Sequence, residues 1–406
     1  MEAVSCFDPI KEMNEVRNQL SLSKKVGFFF GAGTSMALGM PGIEKLTTDV
    51  IGKVSGKCSA HLERIVEDLT KADEKTPTIE DILNHVRLIR QITMEDEKKH
   101  YNEIDGCSAR VLDKEICNHI YDILSGKEDE IAVETNKTFL TTQKFFVWLS
   151  LIGRDSVKEI FTSNYDLIFE KALEMIQLPY FDGFVGAYEP FFLAESVGKI
   201  DLKEYPPVSW IRLWKVHGSL GWFWKKSNNK HEYRVIRLGK QAKSDTQDEL
   251  VIYPSKEKYE SSRKQPFTTY FDRMSNYLRE GEGIFIISGY SFGDYHINEI
   301  VYNALRYNNR LHVVVFLYSS TGCEHIIDRA KQYLNMSVFT PTEAVIGGTQ
   351  GIWRLGTNDG QTIKLFWDED KNELILGQFS CLVDFLADMS GQNASINKEL
   401  KAKNEK

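Results

Sequence analysis

The chain of 406 residues contains no cysteine pair in the CxxC spacing and no apolar run close to the ~20 residues that a membrane-spanning helix requires. Its six cysteines are scattered, which disfavours a four-thiolate zinc site and indicates reduced thiols. The first residues, MEAVSCFDPIKEMNEV, are acidic and lack the apolar core of a signal peptide. The sequence therefore predicts a cytoplasmic protein that neither crosses a membrane nor carries structural zinc.

Basic residues are fewer than acidic residues. The chain has 50 Lys and Arg against 58 Asp and Glu, a formal net charge of −8. Proteins that bind nucleic acid as their main task normally show the opposite balance, so we expect no direct nucleic-acid binding. The sequence also lacks GxxxxGK followed by Ser or Thr, so any ATPase motor must be a separate protein.

What the chain does contain is a set of short polar segments that follow apolar runs. The first, GAGTS at Gly31–Ser35, follows the predicted strand Val26–Phe30. Its two glycines lack the Cβ atoms that would hold a phosphate away from the backbone, and the N–H groups of the turn with the helix dipole favour an anion. TSNYD at Thr162–Asp166 and KVHGS at Lys215–Ser219 also follow apolar runs. Such segments predict a nucleotide site at the carboxyl ends of parallel strands.

Apolar runs alternate with helical patterns, which predicts an α/β fold with a Rossmann-like parallel sheet, formed by residues 1–43 and 156–340. Residues 44–155 show no strand-like run and are predicted to be a helical insertion. In residues 341–392, turn clusters separate short alternating runs, which predicts a small β-rich C-terminal extension with a final helix. Residues 393–406 are predicted to be a charged tail that is frayed over Lys398–Lys406. The predicted strands of the sheet are Val26–Phe30, Val157–Phe161, Trp210–Val216, Ile284–Ser288 and Leu311–Tyr318.

Taken together and in this order, these segments resemble the motifs of the sirtuins. The family has a Gly-Ala-Gly-x-Ser turn, a Gly-x-Pro segment, an Asn and an Asp two residues apart, a His before a Gly, and a later Gly-x-Ser turn. The corresponding residues here are Gly31, Ala32, Gly33, Thr34 and Ser35; Gly39, Met40 and Pro41; Asn164 and Asp166; His217 and Gly218; and Gly289 and Ser291.

The departures from the family pattern are also informative. The CxxC pairs of the family's zinc module are missing, Ser163 replaces the Gln before the Asn, and no Arg follows the Gly-x-Pro segment. No segment matches the one that pairs with an acyl-lysine peptide. The nucleotide motifs are thus kept while the protein-substrate motifs are lost. This pattern resembles the zinc-free, sirtuin-like NAD hydrolases of bacterial antiphage defence.

That resemblance implies a function and a set of site residues. NAD would be the substrate, cleaved to nicotinamide and ADP-ribose, with Asn164 and His217 as catalytic residues. The resemblance further implies a homo-oligomer paired with a separate HerA-like ATPase, and no zinc. The residues that would bind NAD are Gly31, Ala32, Gly33, Thr34, Ser35, Pro41, Asp166, Gly289 and Ser291.

Simpler structural roles and rival functions remain open at this point. The glycine turn could be a tight structural turn, Asn164 and Asp166 could shape an Asx turn, and His217 could be a core histidine. The first rival function is an NAD-dependent protein deacylase or ADP-ribosyltransferase, which the missing zinc ligands disfavour. The second is a non-catalytic sensor of NAD or ADP-ribose, which the Asn164 and His217 pair disfavours.

Overall fold

A computed structural model describes residues 5–73, 76–133, 135–152, 157–198, 206–226, 233–238, 249–252, 265–356, 363–389 and 393–404. The elements of the first part are β1 Ser5–Phe7, α1 Pro9–Leu22, β2 Val26–Phe30, α2 Ala32–Ala37, α3 Ile43–Ile51, α4 Gly56–Asp73, α5 Ile79–Thr93, β3 His100–Tyr101, β4 Ile104–Asp105, α6 Gly106–Ile131 and α7 Lys137–Leu151. Those of the second part are β5 Lys158–Thr162, α8 Ile168–Met175, β6 Tyr180–Phe181, β7 Phe184–Val185, β8 Phe191–Phe192, α9 Ala194–Gly198, β9 Ile211–Lys215, β10 Gly218–Lys226, β11 Tyr233–Arg237, β12 Glu249–Ile252, α10 Phe267–Arg279, β13 Gly283–Ser288, α11 Tyr295–Tyr307, β14 Leu311–Phe316, α12 Glu324–Ala330, β15 Met336–Phe339, β16 Glu343–Ile346, β17 Thr349–Trp353, β18 Trp367–Asp368, β19 Glu373–Leu374, α13 Phe379–Met389 and α14 Asn393–Asn404.

A ten-stranded sheet forms the centre of the molecule, in the order β1-β17-β16-β15-β14-β13-β2-β5-β9-β6. Every pairing from β15 to β6 is parallel, which confirms the predicted α/β class. The strand order reverses at β2: the chain adds β5 and β9 on one side and later β13, β14 and β15 on the other. A crevice at such a reversal is the usual ligand site of an open parallel sheet.

The central strands are apolar on both faces because helices cover both. In β2, Phe28 and Phe30 point to one face, where Phe145 of α7 lies edge-on to both rings at 5.1 and 5.3 Å. Phe29 points to the other face, into a core that includes residues of α10, α11 and α12. Alternate side chains of one continuous apolar run therefore enter two separate cores.

The strands of the predicted β-rich extension lie partly in the main sheet. β16 pairs with β15 and β17 with β16, both antiparallel, and the edge strand β1 runs parallel to β17. β18 and β19 form a separate hairpin. Residues 357–362 and 390–392 of this predicted region lie outside the described residues.

The prediction of a frayed tail was wrong for most of its length. Residues Asn393–Asn404 form α14, and Ile396 is fully buried. Ile396 and the partly buried Leu400, one turn apart, give this charged helix its contacts with the core. None of the helices in the described ranges is both long and apolar enough to cross a membrane.

A second, antiparallel sheet has the order β12-β10-β11-β8-β7. β10 begins at Gly218, directly after His217, so this sheet starts where β9 of the main sheet ends. The helices α3 to α7 occupy the range of the predicted helical insertion, together with the small hairpin of β3 and β4. Residues of α5 and α6 lie beside the carboxyl ends of the central strands.

Candidate functional site

A cleft of ≈ 670 Å³ opens where the strand order reverses. This volume lies within the ~300–1,000 Å³ common for small-molecule sites. Gly31 and Thr34 are not among the residues that line the cleft and lie directly behind its wall. The other predicted site residues all line it: Ala32, Gly33, Ser35, Pro41, Asn164, Asp166, His217, Gly289 and Ser291.

The glycines of the turn after β2 leave the space in which the turn after β13 packs. A Cβ atom on Gly31 would lie 2.5 Å from the Gly289 carbonyl oxygen, and one on Gly33 would lie 2.9 Å from the Gly289 Cα. The Gly31 and Gly33 N–H groups donate to the Ser288 and Gly289 carbonyls at 3.0 and 2.8 Å. Close packing of two turns therefore accounts for both glycines. With the Thr34 N–H, which donates to the Gly31 carbonyl at 3.0 Å, three of the N–H groups assigned to an anion are already in use.

Asn164, Ser35 and Asp166 form a hydrogen-bonded chain in the cleft wall. Asn164 Nδ2 donates one proton to the Gly31 carbonyl at 3.0 Å and the other to Ser35 Oγ at 2.8 Å. Ser35 then donates to Asp166 Oδ2 at 2.6 Å. The three side chains are nearly buried. Since both amide protons of Asn164 are engaged, its Oδ1 is the atom left to meet a ligand.

Asp166 is held from behind by a buried charge pair. Lys215 Nζ donates to the Asp166 backbone carbonyl and lies 2.7 Å from Glu170 Oε1. Burial raises the pKa of Glu170, although the charge of Lys215 acts in the opposite direction. Asp166 Oδ1 also accepts from the Ile168 N–H at 3.2 Å, the start of α8. The predicted Asx role of Asp166 and its place in the cleft wall thus occur together.

The helical insertion reaches the same loop through Glu128 of α6. Glu128 Oε1 accepts from the Leu167 N–H at 2.7 Å, and its Oε2 lies 2.8 Å from Lys171 Nζ. Burial raises the pKa of Glu128, while Lys171 favours the charged form. Because Leu167 directly follows Asp166, the position of α6 is connected to the position of the cleft wall.

His217 has a carboxylate partner that the sequence analysis missed. Its Nε2 lies 3.0 Å from Oδ2 of Asp294. Asp294 caps α11: its Oδ1 accepts from the N–H groups of His296 and Ile297 at 2.7 and 3.2 Å. The available signal was an Asp just before a predicted helix, but that pattern indicates a cap and does not reveal contact with a histidine 77 residues away.

The insertion also contributes residues that the sequence analysis missed. Glu80 and Asn84, one turn apart on α5, line the cleft, as does Leu124 of α6. Polar residues of an amphipathic helix normally face solvent, so their spacing alone could not place them here. The loop after β14 adds Tyr318, which is 74% exposed.

The charged groups of the cleft are of one sign. Among the described residues that line it, Glu80, Asp166 and Asp294 are carboxylates and none is Lys or Arg. A cation is favoured near such a wall, whereas an anion must be held by backbone N–H and hydroxyl groups. Ser291 and Thr321 line the cleft and supply hydroxyls, whereas the Ser35 hydroxyl already donates its proton to Asp166.

Comparison with known families gives one match. Residues 158–338 match the family model of the SIR2-like domain. SIR2-like domains are generally NAD-dependent enzymes, so the match supports a sirtuin-like relationship and an NAD-related activity. The matched range holds Asn164, Asp166, His217 and Gly289, while the turn at Gly31–Ser35 precedes it and joins these residues only through the fold.

A comparison with curated proteins finds no match for this chain. As for metals, no group of three His, Cys, Asp or Glu side chains within the described ranges is arranged to hold an ion. The expected lack of zinc stays a prediction.

Proposed function

We propose that this protein hydrolyses NAD to nicotinamide and ADP-ribose in the cleft at the strand reversal. The observation that carries the proposal is the convergence of Asn164, Asp166 and His217, from two neighbouring strand ends, on one cleft beside the Gly31–Ser35 turn. The SIR2-like match gives independent support for NAD as the ligand.

The acidic wall fits the charge of the reacting end of NAD. The nicotinamide ring of NAD is cationic, and breaking its bond to ribose builds positive charge on the sugar in an oxocarbenium-like transition state. Carboxylates in a fixed, partly buried position stabilise such charge without reorganising during the reaction. Asp166 is fixed in this way, because Ser35 and the start of α8 hold both of its oxygens.

Asn164 and His217 would then serve the water that replaces nicotinamide. The amide of Asn164 is locked by two acceptors, so its Oδ1 can orient a water or a ribose hydroxyl. A neutral imidazole at His217 can accept a proton from that water or from a ribose hydroxyl. The pyrophosphate would lie near the Gly31–Ser35 turn and the adenosine ribose near Gly289 and Ser291.

The proposal extends to a role as an antiphage effector that depletes cellular NAD, acting as a homo-oligomer with a separate HerA-like ATPase. Its support is the resemblance to zinc-free, sirtuin-like defence proteins. A free NAD hydrolase would harm its own cell, which gives a physical reason for control by assembly.

Nicotinamide release from NAD by the purified protein, alone and with its candidate ATPase, tests the function. We expect Asn164→Ala and His217→Ala each to reduce turnover by about 10²–10⁴-fold, because each removes a positioned polar group. Matched controls are Asn276→Ala and His325→Ala, which change exposed residues on α10 and α12.

Full turnover by both site variants, with unchanged melting temperatures, would overturn the site assignment. The same assay with an acylated peptide separates hydrolysis from deacylation, which would release nicotinamide only when the peptide is present. A sensor would bind NAD and release none.

A further inference from the structure

We propose that Asp294 is a positioning residue for His217: it holds the imidazole proton on Nε2 and leaves Nδ1 as the proton-accepting atom in the cleft. This inference rests on the proposed function for its catalytic meaning, although the contact itself stands on geometry. Nothing in the SIR2-like match assigns a role to Asp294.

The hydrogen bond between His217 and Asp294 has a defined direction. Oδ2 of Asp294 lies 3.0 Å from His217 Nε2, and an ionised carboxylate has only lone pairs to offer. Nε2 must therefore carry the proton. In a neutral imidazole the proton is then absent from Nδ1, which keeps a lone pair and acts as the base.

Further hydrogen bonds hold the Asp294 carboxylate in this orientation. Its other oxygen accepts from two backbone N–H groups at the start of α11, at 2.7 and 3.2 Å. The Tyr290 hydroxyl accepts from the Asp294 backbone N–H at 3.3 Å, which holds the same residue from the main chain. Both groups of the pair are mostly buried, with 14% and 15% of their side chains exposed. Asp294 thus connects a helix terminus to the ring of His217.

The substitution Asp294→Asn separates positioning from capping. An Asn side-chain oxygen can keep the two bonds to the start of α11, since Asn is as good a cap as Asp. Its Nδ2 would then face His217 Nε2, and two donors cannot share a hydrogen bond. The ring must shift its proton to Nδ1 to accept from the amide.

Two further variants complete the design. Asp294→Ser keeps a capping oxygen, but the serine side chain is too short to reach the ring. This variant therefore removes the hydrogen bond to His217 without placing a donor opposite Nε2. Asp8→Asn is the matched control, because Asp8 caps α1 by accepting from the Ile10 N–H at 3.1 Å and, within the described ranges, makes no hydrogen bond to a histidine.

The primary measurement is the tautomer of His217 in the full chain labelled with nitrogen-15 histidine. The signal is assigned among nine histidines by its loss in His217→Gln. We expect the Nε2–H form in the wild type and in Asp8→Asn, and the Nδ1–H form in Asp294→Asn. An Nδ1–H wild type, or an unchanged tautomer in Asp294→Asn, would overturn the inference.

The second measurement is the kinetics of nicotinamide release. We expect Asp294→Asn to lower kcat by about 10²–10⁴-fold with little change in KM, and Asp294→Ser to lie between it and the wild type. Wild-type kcat in a folded Asp294→Asn variant, when His217→Ala is inactive, would also overturn the inference. If the wild type releases no nicotinamide, the hydrolase assignment fails, while the tautomer comparison still decides the role of Asp294.

Discussion

At the scale of single residues, the cleft depends on backbones that approach more closely than side chains allow. Gly289 has φ +65°, and a Cβ atom on it would lie 2.4 Å from the Thr34 nitrogen. The turn after β13 is therefore pressed against the turn after β2, and Gly289 is required for two reasons, its left-handed conformation and the lack of space.

Gly289→Ala should lower the free energy of unfolding by about 1–3 kcal/mol, because the new methyl group forces the two turns apart. Nicotinamide release should fall as well, since both turns line the cleft. Gly126→Ala is the control: Gly126 lies inside α6 with nothing within 4 Å of its added Cβ, so alanine should stabilise the helix by about 0.5–1 kcal/mol.

Chemical denaturation of the wild type and the two variants measures both effects. A stability of Gly289→Ala equal to that of the wild type would show that the turns can separate without cost.

The sequence was sufficient to place Asn164 and His217 together, because the ends of β5 and β9 lie side by side in a parallel pair. It could not show that Ser35 bridges Asn164 and Asp166, since those bonds join residues 129 and 131 positions apart. It also could not pair Asp294 with His217. Side-chain partners across a fold depend on tertiary geometry, and local patterns do not contain it.

At the scale of elements, the helical insertion is connected to the cleft wall through one carboxylate. Glu128 of α6 is 2% exposed in its side chain and bonds to the loop between β5 and α8. Any displacement of α6 would have to break the bond to Leu167 or move that loop. The insertion is thus mechanically linked to Asp166.

Glu128→Gln should destabilise the protein by about 1–3 kcal/mol, because it weakens a buried charged contact to Lys171 and to the Leu167 N–H. Asp129→Asn is the matched control: Asp129 contacts the same Lys171 at 3.2 Å but is 45% exposed, so its loss should cost under about 1 kcal/mol.

Denaturation curves of Glu128→Gln and Asp129→Asn measure the two losses of stability. Nicotinamide release reports whether the loop between β5 and α8 has moved. Equal stabilities for the two variants would contradict the connection that Glu128 is inferred to make.

The elements themselves were largely predictable where apolar periodicity was strong. The predicted strand Val26–Phe30 has the bounds of β2, and β13 begins one residue before the predicted strand Ile284–Ser288 and ends with it. The prediction failed for α14, where the buried Ile396 and the partly buried Leu400 pack against the core despite a charged composition. It also did not show that β16 and β17 join the main sheet, because strand pairing is a long-range property.

At the scale of the whole molecule, three separate parts of the chain build one cleft. The main sheet supplies its strand ends, the insertion supplies Glu80 and Asn84, and the loop after β14 supplies Tyr318. In the proposed function, the carboxylates of this cleft would favour the cationic nicotinamide end of NAD. We therefore propose that NAD binds across the strand reversal with its nicotinamide ribose beside Asn164 and Asp166.

The measurement that tests this claim most directly is a crystal structure of the His217→Ala variant soaked with NAD, since slow turnover should preserve the substrate. We expect intact NAD with its nicotinamide ribose within hydrogen-bond distance of Asn164 Oδ1 and its pyrophosphate near the Gly31–Ser35 turn. NAD bound elsewhere on the protein, or an empty cleft at a concentration that saturates the wild-type enzyme, would contradict it.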